Sequence, residues 1–190
     1  MDPTAERRAR VLDAAEALFF RDGIAVTGVD RVASEAGVAV VTLYKHFGSK
    51  DNLLREVLAR RLAAWTEHWD AAVEAAASPA DRVLAIFDAI ATFRAAAQPT
   101  QWCCFLATAS ERAAPSDGAD PALELVAEDT RALTARLRRL AGETRHPDPD
   151  ALTAVVLLLY NGVLASLLRG TPADPVTHAR DAARAFLRAT

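Results

Sequence analysis

At 190 residues the chain has room for one or two domains, and 52% of it is hydrophobic, enough to bury a sizeable core. Much of that fraction is alanine, a strong helix former, and aromatic residues make up only 6%, so the composition favours an all-α protein. The net charge of −3 carries no basic signature, and the two cysteines, Cys103 and Cys104, are adjacent, which excludes a disulfide scaffold within one chain. Residues 1–61 hold ten Lys/Arg against nine Asp/Glu, an excess too small to identify a nucleic-acid partner. Met1 to Phe20 contains no uninterrupted apolar core, so it does not read as a signal peptide. The longest apolar run, Ala154 to Tyr160, is too short to span a bilayer, and a cytoplasmic protein with no membrane partner is expected.

In chain order, Asp2-Pro3 opens a first helix, with Val11, Leu12, Ala15, Leu18 and Phe19 at helical spacing and Gly23 at its end. Arg7, Arg8 and Arg10 crowd its start. Thr27-Gly28-Val29-Asp30 has capping-box spacing and opens a short helix interrupted at Gly37. A second short helix spans about Val40 to Phe47. Gly48 stops it, and Ser49 caps a long helix over 49–77 that carries Leu53, Leu54, Val57, Leu58, Leu62, Trp65 and Trp69. Further helices follow Ser78-Pro79, span Trp102 to Arg112 and Pro121 to about Leu140, and end with Asp150–Leu168 and Val176–Arg188. Their breakers are Gln98-Pro99-Thr100, Pro115 to Gly118, Gly142 to Pro149 and Gly170 to Pro175. The total is about nine helices with no convincing strand and no repeat.

Two short helices joined by a tight glycine turn make the helix-turn-helix pattern, in which the second helix lies in the major groove. Thr27 to Val38, followed by Thr42-Leu43-Tyr44-Lys45-His46-Phe47-Gly48-Ser49-Lys50, closely resembles the N-terminal domain of the TetR family, over about residues 7–60. The resemblance implies a three-helix DNA-binding domain at 1–48, joined through the long helix 49–77 to a ligand-binding and dimerisation domain at 49–190. On these residues it implies that Thr27 caps the second helix and meets a phosphate, and that Tyr44 and Lys50 contact the backbone. Thr42 and Lys45 face the groove, His46 touches a phosphate, and Leu43 and Phe47 are core. The chain departs from the family habit at Ala39, Val40 and Val41, where small or polar residues are usual. Val40 and Val41 offer bases only apolar contact, for example with thymine methyls, so DNA shape weighs more.

The Cys103-Cys104-Phe105-Leu106 stretch is similar to one branch of the family. The aromatic residues Trp65, Trp69, Phe87, Phe93, Trp102, Phe105 and Tyr160, with Cys103, are candidates to line a pocket for a mostly apolar small molecule. The last two helices resemble the family's dimer-forming pair. Leu157, Leu158, Asn161, Leu164, Ala165 and Leu168 cover more than one face of the first, so a second subunit is its natural cover. The expected function is a sequence-specific regulator, a repressor released from a palindromic operator by its ligand. The alternatives are a DNA-binding protein without effector and a thiol-based redox regulator through Cys103 and Cys104. No cofactor, metal-ligand cluster or nucleophile motif stands out, and His46, His68, His146 and His178 are scattered, so an enzyme is not expected.

Overall fold

A computed structural model describes residues 3–96, 103–112 and 120–188. The expected features at Asp2, Gln98–Thr100, Trp102 and Pro115–Gly118 lie outside the described residues. Among those described, the chain forms nine α-helices and no strand. They are α1 (Pro3–Asp22), α2 (Val29–Glu35), α3 (Val40–Phe47), α4 (Lys50–Glu74), α5 (Pro79–Ala96), α6 (Cys104–Glu111), α7 (Pro121–Gly142), α8 (Pro149–Arg169) and α9 (Pro175–Arg188). The chain divides into two compact units, one of Met1–Leu62 with Cys103–Glu128, the other of Ala63–Trp102 with Asp129–Thr190.

In the first unit, α1 buries Val11, Ala15, Leu18 and Phe19, the stripe its 3.6-residue period lays on one side. Gly23 ends it at φ +110°, a backbone conformation that favours glycine. Leu53, Leu54, Val57 and Leu58 of α4 and Val32 and Ala33 of α2 are buried as well. Each fully buried leucine of this kind contributes about 1.5–3 kcal/mol. A polar cluster is buried with them: Glu16, almost without exposure, accepts from both Arg60 and Arg61. Helix α6 belongs to this unit. Its Glu111 carboxylate accepts from the backbone N–H groups of Ile24 (2.8 Å) and Ala25 (3.1 Å). Arg112 bridges Asp51 at the start of α4 (2.8 Å) and Asp120 (2.6 Å). Asp120 in turn accepts from the Ala122 N–H (2.9 Å) and so caps α7.

In the second unit, Leu84, Ile86 and Phe87 of α5, Leu137 and Leu140 of α7, and Leu152 and Val156 of α8 form the core. Asp148 caps α8 by accepting from the Ala151 N–H (2.9 Å), Pro149 fills its first position, and Gly170 ends it at φ +72°. Arg180 of α9 pairs with Asp88 of α5 through two nitrogens, at 2.9 and 3.2 Å. Helix α8, with a mean hydropathy of 2.1 over its best window, is long and apolar enough to cross a membrane by length and composition, although its longest uninterrupted apolar run is short. Only 22% of that window is buried within the single chain.

Candidate nucleic-acid interface

The turn between α2 and α3 is built by backbone hydrogen bonds around one glycine. The Val38 N–H donates to the Ala33 carbonyl (2.9 Å) and the Gly37 N–H to that of Ser34 (3.1 Å), with Gly37 at φ +64°. This is the double closure of a Schellman turn, and it fixes the direction in which the chain leaves α2. Helix α3 has no side-chain cap. The Ala39 carbonyl accepts from the N–H groups of Thr42 (2.9 Å) and Leu43 (3.2 Å). Leu43 and Phe47, one helical turn apart, are buried and hold α3 against the rest of the unit. Gly48 at φ +75° ends the helix, and the Ser49 hydroxyl accepts from the Asn52 N–H (3.0 Å) to start α4.

With Leu43 and Phe47 turned inward, α3 presents Val40, Val41, Tyr44 and Lys45 to solvent, while Thr42 and His46 are half-buried. Val41 is 75% exposed, an unusual position for a valine with no partner. The exposed face therefore combines two apolar side chains with one phenol and one ammonium. Val26, in the connection between α1 and α2, is 76% exposed.

Two of the eight expected DNA contacts are placed differently. Thr27 is fully buried, and its hydroxyl donates to the carbonyl of Gly23 (2.7 Å). It does not cap α2, whose N-cap is Gly28 with no side-chain bond. The capping-box spacing was misleading because the threonine satisfies an α1-end carbonyl instead. Lys50 is turned inward as well: its ammonium donates to the carbonyl of Ile24 (2.6 Å) and sits 5.8 Å from the centre of the Phe19 ring. Burial and the nearby Arg112 guanidinium hold that ammonium below the ordinary lysine value. Lys50 and Glu111 thus grip the Ile24–Ala25 backbone, one at a carbonyl and the other at two N–H groups.

Residues 11–57 match the profile of the bacterial regulatory proteins of the TetR family. A 78-residue stretch is 38% identical to the transcriptional repressor KstR of Mycobacterium tuberculosis, covering 41% of this chain and 36% of that one, so the match spans about a third of the relative's length. A protein from Streptomyces avermitilis, described as a TetR transcriptional regulator, is 32% identical with a TM-score of 0.71, over 94% of this chain and 98% of its own. The chain belongs to the TetR family. A TetR-family regulator from Streptomyces coelicolor has the same two-domain all-α fold, with a TM-score of 0.84 at 25% identity over 97% of this chain and 95% of that one. As a TetR-family member the protein is a DNA-binding transcriptional regulator with a helix-turn-helix.

The candidate ligand residues fall into both units of this TetR-family chain. Trp65 is a hub in the second: its ring lies 6.0 Å from those of Trp69 and Tyr160 and 5.7 Å from that of Phe93. Trp65, Phe93 and Tyr160 keep partial exposure, whereas Trp69 and Phe87 are buried in the core. Half-buried Cys103 and Phe105 belong to the first unit. Cys104 is buried, and burial raises its thiol pKa far above the ordinary cysteine value. Such a thiol is inert, which weakens the redox alternative. Of the six candidate interface residues on α8, Leu158, Asn161, Ala165 and Leu168 are exposed, while Leu157 and Leu164 are half-buried and Leu157 packs against the core. Among the described residues no group of three His, Cys, Asp or Glu is placed to hold a metal ion.

Proposed function

We propose that the protein is a repressor that binds a near-palindromic operator as a two-fold homodimer and leaves it when a small, mostly apolar ligand binds. The observation that carries this reading is the exposed face of α3, where Val40, Val41, Tyr44 and Lys45 stand free while Leu43 and Phe47 hold the helix in place. A helix presented in this way enters the major groove, with the two valines against thymine methyls, Lys45 facing the groove and Tyr44 on the backbone. Thr42 and His46 flank that face. The apolar, unburied side of α8 supports dimerisation, because a second copy of α8 and α9 covers it, and two-fold symmetry then places two α3 helices on successive turns of the duplex. The aromatic group around Trp65 supports an apolar ligand held within residues 49–190, with residues 1–48 as the DNA-binding domain.

Selection of bound duplexes from a random pool tests the reading. An inverted repeat with half-sites about 10 base pairs apart, or a multiple of that, is the expected product. Enrichment of no sequence, or of a single unrepeated site, refutes it. Added protein then lowers transcription from a template carrying the repeat; a rise makes the protein an activator.

A further inference from the structure

The cations of the first unit divide into two groups. Arg8 pairs with Glu56 (2.8 Å), Arg31 with Asp22 (2.6 Å), and Arg21 also with Asp22 (2.8 Å). Arg60 and Arg61 meet Glu16, Arg112 bridges two aspartates, and Lys50 is bound to carbonyl oxygens. Arg7, Arg10, Lys45 and Arg55 remain exposed with no carboxylate partner among the described residues; Arg7 bonds only the Pro3 carbonyl of its own helix (3.1 Å). Lys45 already belongs to α3. Arg7 and Arg10 lie one helical turn apart near the start of α1, and both are exposed.

The start of α1 is also held beside the end of the recognition helix. Arg8, between those two arginines, places its guanidinium 5.3 Å from the centre of the Phe47 ring, at the last residue of α3, and its pair with Glu56 ties the same point to α4. A helix with its side chains is about 10–12 Å across, and the major groove is about 12 Å wide. A helix in the groove therefore fills it, and a neighbour packed against that helix stands over the groove's rim, where the phosphates are.

We propose that Arg7 and Arg10 of α1 bind phosphates on the rim of the groove that α3 enters, so that the protein grips the duplex from outside its helix-turn-helix as well. The inference rests on the reading that α3 enters the groove. Glu6, also exposed on this helix, forms no pair with Arg10 and leaves its charge free. A phosphate contact adds affinity without choosing a sequence, and it steepens the dependence on salt by about 0.9 in log–log slope per phosphate.

The test measures binding by fluorescence anisotropy from 50 to 200 mM salt, on a mixed-sequence duplex and on the selected operator. In the Arg7→Gln/Arg10→Gln variant the slope is expected to become shallower by about 1.8 per bound subunit, and both duplexes are expected to weaken by the same factor, roughly fivefold per arginine near 150 mM. The Arg7→Lys/Arg10→Lys variant keeps the parent slope, because a phosphate accepts either cation. Arg131→Gln, which removes one charge from an exposed arginine of the second unit, is the control and keeps it too. An unchanged slope in the Gln variant overturns the proposal, as does a loss confined to the operator, which indicates base contact instead. Lys45→Gln separates the two readings: if it binds both duplexes as the parent does, the placement of α3 in the groove fails first.

Discussion

Lys50 is one of two lysines in the chain, and its ammonium is engaged inside the protein rather than offered to DNA. Removing it leaves the Ile24 carbonyl without its charged donor. Lys50→Met is therefore expected to lower stability by about 1–2 kcal/mol, read as a lower denaturant midpoint with an unchanged slope. An equal loss of DNA affinity at unchanged stability returns Lys50 to the phosphate role that the sequence suggested. Asp129 makes the opposite case. Burial alone pushes its carboxyl up to about 6 from an unfolded value near 3.8. Between those values the folded state binds the extra proton, so stability falls as pH rises from about 4 to about 6. Asp129→Asn removes that fall and stabilises the protein at pH 7, by about 1 kcal/mol once the site's partial access to water is allowed for. A parent and variant with parallel stability curves between pH 4 and 7 contradict this. Neither environment is legible in sequence, because both depend on which groups distant segments bring near.

At the scale of elements, the periodicity and breakers located the helices closely. The expected Val40–Phe47 is the observed α3, and Pro79, Pro121 and Gly170 bound helices where proline and glycine place them. Gly37 shows why. Its φ of +64° closes α2 and aims α3, and an added Cβ meets no atom within 4 Å. The cost of Gly37→Ala is then backbone strain alone, about 1–2 kcal/mol. Thermal melting checks this. A larger loss, with DNA binding abolished, means that the angle between α2 and α3 has changed. The element that spacing misjudged is the start of α2, where Thr27 and Asp30 had the right types at the right interval. Capping-box spacing names residues able to cap, and here the Gly23 carbonyl accepts from the threonine hydroxyl instead.

At the scale of the whole molecule, α8 leaves apolar surface uncovered: Leu158 is 72% exposed in the single chain. Leu158→Glu/Leu168→Glu is expected to convert a dimer into monomers in light scattering at micromolar concentration, with helicity retained, because an unpaired carboxylate resists burial in an apolar interface. A parent that is already monomeric without detergent, or a variant that stays dimeric, removes this interface. The sequence by itself determined the all-α class, the order of the helices, and the stretch from Thr27 to Lys50 that marks the family. These follow from local rules: helical period, glycine and proline breakers, and a compact motif. Only the tertiary structure decided which polar groups are engaged within the protein. Thr27 and Lys50 are bound to backbone carbonyls of the α1–α2 connection, and Arg8, Arg31 and Arg60 are paired with carboxylates, while Arg7, Arg10, Lys45 and Arg55 have no carboxylate partner among the described residues. A cation's availability depends on the carboxylates and carbonyls that folding brings to it, and such partners lie as far as 92 residues away along the chain, as Asp88 does from Arg180.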